Sequence, residues 1–87
     1  MPRKLWIPPR NRVLGECWVA AAGVVSIYAA GTAVYVGLAQ CTLVLYYASA
    51  AEAERARDLF VRATWDAEPD AEARAAYPEP TDGKIQF

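Results

Sequence analysis

At 87 residues the chain has room for one small domain at most, and a soluble chain this short would bury only about 60 to 65% of its unfolded surface. A net charge of −1, from nine Lys or Arg against ten Asp or Glu, leaves no basic face for nucleic acid, and the absence of histidine removes the commonest general base and haem ligand. The mean hydropathy of +0.06 averages three unlike blocks: a basic head, an uncharged middle and a charged, proline-punctuated tail.

Residues 1–12 read as a basic, extended interfacial segment. Pro8-Pro9 after Trp6-Ile7 is incompatible with a helix, and Arg3, Lys4, Arg10 and Arg12 surround it. Asn11 suits the cap of a helix starting near Arg12 or Val13.

From Cys17 to Ala51 there is no Asp, Glu, Lys or Arg, a run of 35 uncharged residues bracketed by Glu16 and Glu52. About 20 apolar residues cross a hydrocarbon core of about 30 Å, so the run predicts a transmembrane helix over residues 13–47. The absence of Pro, Asn-Gly and Asp-Gly from the run argues against a hairpin, and its length is excessive for a secretory signal. Cys17 and Cys41 would stand about 36 Å apart on one helix, too far for a disulfide. Trp6 and Trp18 fit one membrane interface, and Tyr46 and Tyr47 the other. Ala22, Ser26, Ala29, Ala33, Gly37 and Cys41 recur at steps of three or four, a small-residue stripe suited to packing a partner helix. Tyr28 and Tyr35 share nearly one face, their hydroxyls available to a neighbouring helix, a lipid headgroup or backbone carbonyls. Gln40 would make an interhelical hydrogen bond. With no carboxylate or base inside the span, a proton relay is not expected.

Residues 48–67 predict an amphipathic helical extension, with Ala56, Leu59, Phe60 and Ala63 on one face and the pairs Glu54 with Arg57 and Asp58 with Arg62 on its surface. It should stop before Pro69. Residues 68–87 read as an acidic, proline-containing extended tail, interrupted by a helical turn across Asp70 to Ala76 with Asp70 as its cap. The fold class expected is therefore all-α: a single long transmembrane helix continuing into an amphipathic helix, with extended ends and no independent globular core. The slight excess of basic residues before the span predicts an N-terminus on the matrix or cytoplasmic side.

There is no Gly-rich phosphate loop, Cys-x-x-Cys pair or Ser/His/Asp set, so no catalytic, cofactor-binding or metal residues are expected, and neither is a small-molecule substrate. The expected partners are larger integral-membrane subunits and membrane lipids. The segments Asn11-Arg12-Val13-Leu14, Cys17-Trp18-Val19-Ala20 and Gly23-Val24-Val25-Ser26-Ile27-Tyr28 are loosely similar to the small k-type subunit of the mitochondrial F1Fo ATP synthase, over about a quarter of the chain. This sequence departs from that family in its longer span and in the tail from Glu52 onward. The resemblance implies a non-catalytic accessory subunit of the mitochondrial inner membrane, acting in assembly or dimer stability. The alternatives are a small subunit of a respiratory-chain complex and a regulatory membrane micro-protein.

Overall fold

Val24, Val25, Ile27, Val34, Val36, Thr42 and Val44 are β-branched, and such side chains pack well on a pleated surface while losing rotamer freedom in a helix. In the computed structural model, which describes residues 4–9, 15, 17–65 and 69–87, the uncharged run is sheet. Strands β1 (Lys4–Ile7) and β2 (Cys17–Ala20) pair antiparallel, and a 3-10 turn at Ala21–Gly23 leads into β3 (Val24–Ala30). Strands β4 (Ala33–Leu38) and β5 (Thr42–Tyr46) follow as a meander, then helices α1 (Ala50–Trp65) and α2 (Ala71–Ala75), and β6 (Asp82–Gln86) returns to the sheet. The four-stranded sheet is antiparallel throughout, in the order β3-β4-β5-β6.

Two short turns replace the continuous helix. Gly31 has φ of 62° and sits first in the two-residue loop Gly31-Thr32, with Ala30 paired to Ala33. A positive φ at the first loop position alone is the arrangement of a type II′ turn, whose twist matches that of the flanking strands. At the next hairpin the Leu38 N–H donates to the Cys41 carbonyl at 2.8 Å, leaving Ala39 and Gln40 exposed at the tip. Gln40 is thus a turn residue rather than a polar group deep in a span.

α1 is capped by its own sequence. Ser49 Oγ accepts from the Glu52 N–H at 3.2 Å, one half of the Ser-x-x-Glu capping pattern. Its buried residues Ala53, Ala56, Phe60 and Ala63 recur at three and four, and this stripe lies across β3, β4 and β1. The core contains Leu5, Ile7, Val34, Val36, Leu43, Leu45, Tyr47 and Phe60. On α1 Arg57 pairs with Asp58 at 2.9 Å, in place of the expected partner Glu54. Asp70 caps α2 by accepting from the Ala73 N–H at 2.8 Å.

These observations overturn the expected all-α fold and its single long transmembrane helix. No helix among the described residues is long and apolar enough to cross a membrane. The longest, α1, has 16 residues and carries Glu52, Glu54, Arg55, Arg57, Asp58 and Arg62. A continuous 35-residue helix would measure roughly 50 Å, whereas the longest extent of the molecule is 33 Å. Its radius of gyration of 11.7 Å matches the value of about 12 Å for a compact chain of this length. The single-pass, integral-membrane placement in the mitochondrial inner membrane falls with the helix. So does the implied fold of the k-type subunit: Cys17–Ala20 and the residues from Val24 to Tyr28 are strand, and 11–14 lie outside the described residues, as do the expected cap at Asn11 and the helix start at 12–13.

Candidate interaction surface

The sheet has one covered and one open face. Alternation along β3 turns Ile27 and Ala29 toward α1, and Ser26, Tyr28 and Ala30 away from it. The cross-strand register carries this outward set over the sheet in rows: Tyr28, Tyr35, Val44 and Lys84 in one, Ala30, Ala33, Tyr46 and Asp82 in the next. Tyr28 and Tyr35 stack with ring centroids 4.9 Å apart and planes 11° from parallel, and Lys84 Nζ lies 6.0 Å from the Tyr46 ring. Val44 is fully buried even on this side.

The two edges of the sheet differ. β6 carries the exposed charges Asp82 and Lys84, which discourage another strand from pairing there. β3 carries none over seven residues, and among the described residues no strand pairs with its outer side. Its free backbone groups can be identified. The Tyr47 N–H donates to the Thr32 carbonyl at 2.8 Å and Leu38 to Cys41, so residues 32, 34, 36 and 38 bond toward β5. Antiparallel alternation then commits Ala33, Tyr35 and Gly37 to Ala30, Tyr28 and Ser26, leaving the N–H and C=O groups of Ile27 and Ala29 aimed outward.

α1 flanks this edge. Its exposed Val61 and Trp65 face a groove of about 450 Å³ lined also by Ala22, Val24, Val25 and Ile27. Trp65 is 76% exposed and Val25, the extra residue at the β3 bulge, 73%. Edge and flank together form one continuous apolar patch.

The expected packing stripe is dispersed by this fold. Ala22 lies in the 3-10 turn, Ser26 and Ala29 in β3 on opposite faces, Ala33 and Gly37 in β4, and Cys41 after β4. Only Ser26 and Gly37 meet, as register partners, so close that a Cβ on Gly37 would lie 2.5 Å from Ser26 Oγ. The four expected membrane anchors are placed otherwise too. Trp6 and Tyr47 are buried in the core. Trp18 pairs with Trp6 across β1 and β2, and Arg74 stands 5.7 Å from the Trp18 ring and 5.9 Å from that of Trp6. Tyr46 is half-buried under Lys84.

A second hollow, between Trp6, Pro8, Glu52, Arg74, Tyr77 and Glu79, mixes charges of both signs. Trp6 meets Tyr77 edge-on at 5.5 Å, and the Tyr77 hydroxyl donates to the Leu59 carbonyl at 3.4 Å. Burial raises the Tyr77 pKa above its usual 10.0. No group of three or more His, Cys, Asp or Glu able to hold a metal occurs among the described residues. Comparison with known proteins finds no matching family model, curated protein or solved structure. The sequence reasoning missed strand β3 itself, for which its β-branched content and the Gly31-Thr32 pair were the available signals.

Proposed function

We propose that this chain is a non-catalytic assembly module that docks to another polypeptide by strand addition at β3. The observation that carries the reading is an edge strand seven residues long, free of charge and proline, lying beside exposed Val61 and Trp65. Natural edge strands are ordinarily guarded by charge, proline or a covering element, as β6 is by Asp82 and Lys84. An apolar edge flanked by exposed aromatic and aliphatic side chains fits β-augmentation, in which main-chain bonds supply affinity and side chains beside the edge supply selectivity.

The reading keeps the accessory, assembly-type role expected from the sequence and drops its membrane span. The test uses the full chain at native expression in a detergent-free lysate. The wild type should sediment as a species heavier than its 9.5 kDa chain mass, and Val25→Lys combined with Trp65→Lys should return it to that mass. Wild-type chain sedimenting at chain mass rejects the reading.

A further inference from the structure

We infer that the occupant of the β3 edge is a second copy of this chain, paired antiparallel across a two-fold axis through Tyr28. The inference rests on the edge being the working surface, as proposed above. It goes further by naming partner and register.

In an isologous pair every residue near the axis meets residues of its own patch, so the patch must be compatible with itself. Charge is the first requirement. Any charge close to the axis would face its own copy, and β3 lies within the uncharged run from Cys17 to Ala51. The backbone supplies the second. Ile27 and Ala29 are the β3 residues whose amide groups point outward, and one antiparallel register engages both in each copy: Ile27 opposite Ala29 of the second copy, and Ala29 opposite its Ile27. That register closes four N–H···O=C bonds and leaves Tyr28 on the axis, in a pair without backbone bonds.

The side chains fit the same register. On the α1 side a large Ile27 would face a small Ala29, which fills the layer without crowding. On the open side Tyr28 would face its own copy, so that the stacked Tyr28 and Tyr35 continue into a row of four rings across an eight-stranded sheet. The flanks complete the contact. α1 runs over β3, so the two-fold brings both helices to the same side of the joined sheet, and each copy offers a protruding Trp65 and an apolar groove in one patch. Joining residues 26–30 of the two edges and covering Trp65, Val61, Val25 and Tyr28 in both copies buries on the order of 1,200 Å² in total, the lower end for a stable dimer.

The experiment uses the purified 87-residue chain. Wild type at high micromolar concentration should show twice the 9.5 kDa chain mass by sedimentation equilibrium, with a melting temperature that rises with concentration. Val25→Lys with Trp65→Lys alters two exposed positions, and should give chain mass with an unchanged circular dichroism spectrum. The register is read by Tyr28→Cys in a Cys17→Ser, Cys41→Ser background under oxidised glutathione. Facing Cα atoms at such a pair stand about 4.5 Å apart, within disulfide reach, so a covalent dimer should form; Ala30→Cys, off the axis, should give none. Independently of any variant, exchange at the Ile27 and Ala29 amides of the wild type should slow as concentration rises. A wild type of chain mass whose Ile27 and Ala29 amides exchange equally fast at all concentrations overturns self-pairing. Were the lysate species still heavy in that event, the assembly reading would stand with a different protein as partner. Dimerisation in which Ala30→Cys cross-links and Tyr28→Cys does not overturns the register.

Discussion

A Cβ added to Gly31 would touch nothing, so any cost of Gly31→Ala is conformational. At φ of 62° an L side chain crowds its own backbone, and the substitution should cost about 1–2 kcal/mol. Urea denaturation measures it, and synthetic chain with D-alanine at residue 31 should lose nothing, since the mirror residue favours that φ. An unchanged midpoint for Gly31→Ala would mean that the hairpin does not depend on this turn. Tyr77 sets an alkaline limit by a different route. Burial favours its neutral hydroxyl, so its folded pKa lies above the unfolded value of 10.0. The unfolded chain then loses the proton first, and the stabilisation is complete below pH 10 and lost as pH rises through the folded value. Tyr77→Phe should therefore flatten the fall in stability above pH 10, and at neutral pH change little, because the hydroxyl makes only a long 3.4 Å bond to Leu59. Stability measured across that pH range decides, and an equally steep fall in the variant would place the sensitivity elsewhere.

Among the elements, α1 was the most legible. Its stripe at three and four and the proline past its end predict a helical extension over 48–67, and the structure has a helix at Ala50–Trp65. Its Ser49-x-x-Glu52 start goes unread when the helix is expected to run on from residue 47. Removing the cap by Ser49→Ala should cost about 0.5–2 kcal/mol, seen as an earlier urea midpoint with an unchanged slope. No loss would mean that the Ser49 contact contributes nothing net. The strands were hidden for a physical reason. Period-two alternation normally shows as polar against apolar, but the outward set Ser26, Tyr28, Ala30, Tyr35, Gly37, Thr42 and Val44 is uncharged, so both faces of β3 to β5 look like lipid-facing sequence. The turns were equally quiet, because Gly31-Thr32 uses a Gly-first loop rather than the Asn-Gly or Asp-Gly pair sought. The Ser26 and Gly37 contact shows the same limit: two members of the series read as a helix stripe are cross-strand partners, with Ser26 Oγ filling the space a Cβ on Gly37 would need. The free edge of β3 depends on strand order, which no local pattern in this chain states.

At the scale of the whole molecule, the uncharged run folds into four strands, β2 to β5, with α1 over one face of the larger sheet and a stacked tyrosine pair on the other. The charged tail closes that arrangement. β6 pairs along all of β5, from Thr42 with Gln86 to Tyr46 with Asp82, and the Thr81 N–H adds a bond to the Tyr46 carbonyl at 2.7 Å. Without it, β5 would become an apolar edge bearing Leu43, Val44 and Leu45, and Ile85 would leave the core margin. A domain of this size holds roughly 4–13 kcal/mol in total. Losing five paired residues and the cover over Leu43 and Leu45 should remove most of it. A chain ended after Pro80 should therefore lose the cooperative urea transition of the full chain and bind a hydrophobic dye. A truncated chain that unfolds with the full chain's midpoint and slope would show that the core is complete without β6, and that the C-terminal segment only lies against it.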